Sequence, residues 1–100
     1  MPKRALAVLA LIAAQPALAA LSPYYDSAEK ITAILGDAAV ADAVRQAPIG
    51  AISNSGTTKD GRDIWTVRVQ DCDLTVHLTA VLPQGPGKTT YLVELAGPCS

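Results

Sequence analysis

Two hydrophobic periods follow one another along the chain. Between Asp26 and Gln46 the apolar residues recur at helical spacing, and from Ile49 onward they alternate. The helical stretch offers start signals at Ser22-Pro23 and at Asp26, where Glu29 three residues on completes a capping-box pattern. In one continuous helix Ile31 and Leu35 share a face, whereas Val40 and Val44 fall on the opposite side. A single helix therefore cannot bury both pairs against one sheet. Gly36-Asp37 lies between them; glycine accepts a left-handed helix end and aspartate caps a new start. The pattern predicts two short helices, 26–35 and 38–46, with Pro48 closing the second.

The alternating part predicts four strands. The first covers 49–53, followed by a run of turn residues over 54–61. The second covers 62–70, with Trp65, Val67 and Val69 on one side and Ile64, Thr66 and Arg68 on the other. After a tight connection at Asp71-Cys72-Asp73, the third covers 74–82, with Leu74, Val76 and Leu78 facing one way and Thr75, His77, Thr79 and Val81 the other. A loop over 83–88 leads to the last strand, 89–95, which puts Tyr91, Val93 and Leu95 on one face.

Register follows from these faces. If the 83–88 loop joins Leu82 to Thr89, opposed residue numbers add to 171. Val76 then faces Leu95 and Leu78 faces Val93, so both strands bury the same side, and the same sum sets Cys72 opposite Cys99. For the second and third strands an odd sum is required, and 143 and 145 both satisfy it. With 143, Ile64 lies beside Thr79. The expected fold is α+β: two short N-terminal helices packed on one face of a four-stranded antiparallel meander, with one disulfide.

The first 19 residues change what the composition means. Lys3 and Arg4 precede a ten-residue apolar run from Ala5 to Ala14, and Gln15-Pro16 leads into the small residues of Ala17-Leu18-Ala19. That is the pattern of a cleavable secretion signal, over 1–19, followed by one small domain over 20–100. No cysteine follows the apolar run to carry a lipid anchor, and the run is too short to span a membrane. The remaining 81 residues hold six basic and nine acidic side chains, a net charge of −3 that argues against nucleic-acid binding. The expectation is an exported protein, periplasmic or secreted. In such an oxidising compartment the two cysteines, Cys72 and Cys99, read as a disulfide rather than as a redox or zinc site.

Candidate chemistry is sparse. Gly85-Pro86-Gly87-Lys88-Thr89-Thr90 resembles a phosphate loop, but Leu82 stands where the motif's first glycine belongs and a strand rather than a helix follows. His77 is the only histidine, and Glu94 is its partner in the 171 register, a pair suited to acid–base work or to simple surface pairing. Ser53 and Ser55 lack a nucleophile-elbow context. Asp60, Asp63, Asp71 and Asp73 have no calcium-loop spacing and read as solvated turn carboxylates, so no cofactor or metal is expected.

What remains is the sheet face turned away from the helices. It carries Ile64, Thr66, Arg68, His77, Thr79, Val81, Leu92 and Glu94, a polar surface with three apolar residues set into it. The expectation is a non-enzymatic binding or accessory module that uses this face for an envelope protein or for self-association. Two alternatives stand beside it: a secreted inhibitor acting through the 54–61 or 83–88 loop, and a small enzyme or ligand carrier centred on His77. The order helix–helix–meander resembles the general shape of β-lactamase-inhibitor-like and outer-membrane-assembly accessory proteins. That resemblance is one of topology, and it assigns no functional residue.

Overall fold

A computed structural model describes residues 21–100. The expected signal segment over 1–19 lies outside the described residues. Ser22 starts the first helix, α1 (Pro23–Leu35), with its Oγ accepting from the Tyr25 N–H at 3.3 Å and Pro23 in the first turn. Of the two start signals, this one prevails over Asp26, because the proline ring presets φ where no intrahelical N–H is needed. Asp26 instead supplies negative charge to the first turn.

Gly36 ends α1, but not in the left-handed conformation expected of it. Its φ is −87°, and a Cβ there would stand 3.1 Å from the Thr32 carbonyl oxygen, so glycine serves closeness rather than a positive φ. Asp37 then caps the second helix, α2 (Ala38–Ala43), accepting from the Val40 N–H at 3.1 Å. The break between the helices brings Ile34, Val40 and Val44 into one core, as the phase argument requires. Ile34, rather than Leu35, is the buried residue of α1; Leu35 stays 45% exposed.

The second helix is shorter than expected because Arg45 and Gln46 adopt φ of 57° and 54°. The Arg45 N–H donates to the Asp42 carbonyl and the Gln46 N–H reaches back to Ala41 at 2.8 Å. This is a Schellman closure with arginine where glycine is usual.

The sheet is an antiparallel meander in the order β1 (Ala51–Thr57), β2 (Asp63–Arg68), β3 (Asp73–Val81), β4 (Thr90–Leu95). Trp65, Val67, Val69, Leu74, Val76 and Leu78 are buried beneath the helices, with Tyr91, Val93 and Leu95 packed partly against them. The β3–β4 register is the expected one, from Val76–Leu95 to Val81–Thr90.

The β2–β3 register is not. Trp65 faces Val76 and Ile64 faces His77, so the numbers add to 141, two less than the nearer expected value. The parity is right and the turn is different. Val69 donates to the Cys72 carbonyl at 3.0 Å, which makes Gln70-Asp71 a two-residue turn and returns Cys72 and Asp73 to the chain leaving it.

The first strand also departs from expectation, running to Thr57 through residues that read as a loop. A bulge between Asn54 and Gly56 absorbs the irregularity, and Gly56 there holds a φ of 146°. The true loop is only 58–62, closed by Thr58 on both the Arg62 N–H and the Asp60 carboxylate.

Cys72 and Cys99 are bridged, with Cα atoms 5.4 Å apart. The regular ladder stops short of them. Ala96 bonds Thr75, but Ser100 exchanges both backbone bonds with Asp73, so Leu74 alone faces Gly97, Pro98 and Cys99. The bridge thus ties down a bulged end of the hairpin. Such a bond is what an oxidising compartment permits.

Candidate functional site

Alternation along three strands places all eight residues of the expected interaction face on the side of the sheet away from α1 and α2. The corrected register sorts them into rows. Ile64, His77 and Glu94 form one row across β2, β3 and β4. Thr79 and Leu92 form the next, with Val81 facing Thr90 beyond them. Thr66 lies beside Thr75, and Arg68 beside Asp73, toward the disulfide end. Ile64 therefore neighbours His77 rather than Thr79.

Ile64, Thr66 and His77 are half-buried by their neighbours, whereas Val81 and Leu92 are 40% and 62% exposed. Charges bracket the row. Arg68 makes a two-pronged pair with Asp73, at 2.9 and 3.1 Å, and this holds the Asp73 carboxyl below its ordinary range. At the other end the Arg62 guanidinium reaches across β3 to Glu94 at 2.6 Å and also contacts Asp60 at 3.2 Å.

His77 does face Glu94, but that carboxylate is engaged by Arg62, and no hydrogen bond joins His77 to it among the described residues. Ser55 is occupied as well, with its Oγ 3.0 Å from Thr66 Oγ1 and 3.3 Å from the Ile64 carbonyl. No cluster of three or more histidine, cysteine, aspartate or glutamate side chains comes together among the described residues. The Asp63 carboxylate, read as a solvated turn group, instead faces the helices and pairs with Lys30 at 2.6 Å.

That ion pair belongs to a second constellation, under α1. Lys30 also lies 3.6 Å from Asp26 and 5.3 Å above the Tyr91 ring, and the Tyr91 hydroxyl donates to Asp26 at 2.6 Å. Burial first, and the bond to Asp26 second, push the Tyr91 phenol well above its ordinary range. Each of the four side chains in this group has a polar partner within it, so it anchors the helix to β2 and β4. The alternation of β2 carried the signal, since Asp63 shares a side with Trp65.

A groove of about 640 Å³ opens at the disulfide end, floored by Ala43, Ala47, Val69 and the bridge, with Arg45 and Asp71 at its rim. Its lining shares no residue with the row around His77, and no spacing in the sequence pointed to it. The 83–88 loop is exposed throughout, and Lys88 is tied to Glu29 of α1 at 2.7 Å. No helix among the described residues is long and apolar enough to cross a membrane. No family model matches the chain, and neither a curated protein nor a solved structure matches it.

Proposed function

We propose that the chain is an exported, non-enzymatic binding module that takes a protein partner on the outer face of its sheet. One observation carries this reading: helices cover one side of the meander, while on the other no element among the described residues covers Ile64, His77, Thr79, Val81 and Leu92. Sheets that bury one face commonly leave the other to solvent, and such faces are ordinarily polar. Here three apolar side chains stand among threonines; the Arg62–Glu94 pair crosses between Ile64 and the Leu92–Val81 side, and the Arg68–Asp73 pair lies beyond Ile64 toward the disulfide end. Apolar side chains mixed with polar and charged ones make up the ordinary composition of a transient protein interface.

The engagement of Glu94 by Arg62 favours binding over catalysis, because His77 then lacks a carboxylate to orient it. The test is capture from an envelope extract by the immobilised protein, compared with an Ile64→Lys, Thr66→Lys variant whose folding is verified by circular dichroism. Loss of the captured partner in that variant, with retention after substitution of loop residues Gln84 and Lys88, supports the reading. An unchanged set of captured proteins refutes it.

A further inference from the structure

The two edges of the sheet are built differently. β1 is bulged at Asn54–Gly56, holds a glycine at positive φ and is mostly polar, all devices that discourage another strand from pairing. β4 has none of them. Thr90–Leu95 pairs with β3 without a register shift, contains neither proline nor lysine, and is apolar at four of its six positions.

Its outward backbone groups can be assigned. Ala96 donates to Thr75, so by alternation Leu92 and Glu94 direct their N–H and C=O groups at β3, while those of Tyr91, Val93 and Leu95 point away from the sheet. Those outward groups have no backbone partner among the described residues. Leu92, the most exposed large apolar side chain within the strands at 62%, stands at the middle of this edge.

We infer that β4 pairs antiparallel with the β4 of a second copy, joining two meanders into one continuous sheet about a two-fold axis at Leu92. The strand is its own complement in that register. Leu92 meets the second copy's Leu92 at a closely spaced, non-hydrogen-bonded position, Tyr91 exchanges backbone bonds with the second copy's Val93, and Thr90 faces the second copy's Glu94. No like charges oppose one another. Each Glu94 is already held by Arg62 at 2.6 Å. A symmetric contact of this kind is closed and self-limiting, since the blunted β1 edge adds no further strand. It uses the backbone edge of β4, and shares Leu92 and Glu94 with the outer face.

Sedimentation equilibrium and cysteine cross-linking test this together, on protein purified after expression of the full chain. The expected result is a monomer–dimer equilibrium that Leu92→Lys weakens by about tenfold or more, by setting two ammonium groups against each other. Ile64→Lys, on a central strand, leaves it unchanged. Leu92→Cys alone cross-links into a covalent dimer on oxidation, with Cys72–Cys99 intact by mass spectrometry, whereas Glu94→Cys alone does not. A protein that stays monomeric up to about 1 mM overturns the proposal. So does a dimer insensitive to Leu92→Lys, or cross-linking as efficient at position 94 as at 92. Association only with a different protein's strand overturns it equally.

Discussion

Removing the Cys72–Cys99 bridge should cost this protein a large part of its stability, and the cost should arise mainly in the unfolded chain. The bridge spans 27 residues of sequence. In the chain-entropy treatment a loop of that length restricts the unfolded state by about 3.5 kcal/mol. A domain of this size has roughly 4–12 kcal/mol in total, at about 0.05–0.15 kcal/mol per residue. The two cysteines also pack partly against the core, so alanine substitution adds a smaller loss of buried contact that simple reduction does not. Urea unfolding followed through Trp65, the only tryptophan and 6% exposed, separates the contributions. Reduced protein should lose about 3.5 kcal/mol, and the Cys72→Ala, Cys99→Ala variant slightly more. In both, the dependence on urea should steepen, because the untethered chain exposes more surface when it unfolds. The melting temperature should fall by roughly 15–25 °C. A loss below about 1 kcal/mol, or an unchanged urea dependence, would refute the argument that the bridge acts by closing a long loop.

Two further outcomes follow from the helical layer. Arg45→Gly should raise stability by about 0.5–1 kcal/mol in the same urea assay, because arginine holds a φ of 57° in the Schellman closure where glycine sits without strain; a loss would mean that Arg45 contributes contacts outweighing its backbone. Tyr91 should make stability fall in alkaline solution: burial and the bond to Asp26 raise its folded pKa, so its contribution is complete below the unfolded value of about 10 and declines above it as the unfolded phenol ionises. Tyr91→Phe should flatten the decline between about pH 9 and 11, and an equal slope in both proteins would count against the assignment.

The helices show how far phase alone carries a reading. Ile31 and Val40 cannot share a face of one helix, and that conflict located the break at Gly36-Asp37. It did not say how glycine would be used. The backbone turns back on itself nine residues later, at Arg45 and Gln46, where composition gives no sign of a left-handed pair. Capping chemistry was legible because a side-chain oxygen three residues before an amide is a local arrangement, as at Asp37 and Val40. Whether Ile34 or Leu35 enters the core depends on how the helix is rotated against the sheet, which no local signal records.

In the sheet, a period of two settles which face each residue takes and leaves register open by steps of two. The outer face could therefore be named residue by residue, while its rows could not. That step depends on the turn, and the turn at Gln70-Asp71 is one residue tighter than the aspartates flanking Cys72 suggested. The consequence reaches the chemistry of the site. In the 141 register Arg62 falls in the row of Thr79 and Leu92, next to that of His77 and Glu94, within reach of the Glu94 carboxylate. Two residues further along, it would have lain level with Val81 and away from Glu94. The pairing that leaves His77 without its carboxylate is thus set by a turn on the far side of β2. A change that lengthened this turn would alter the electrostatics of the outer face without touching any residue on it.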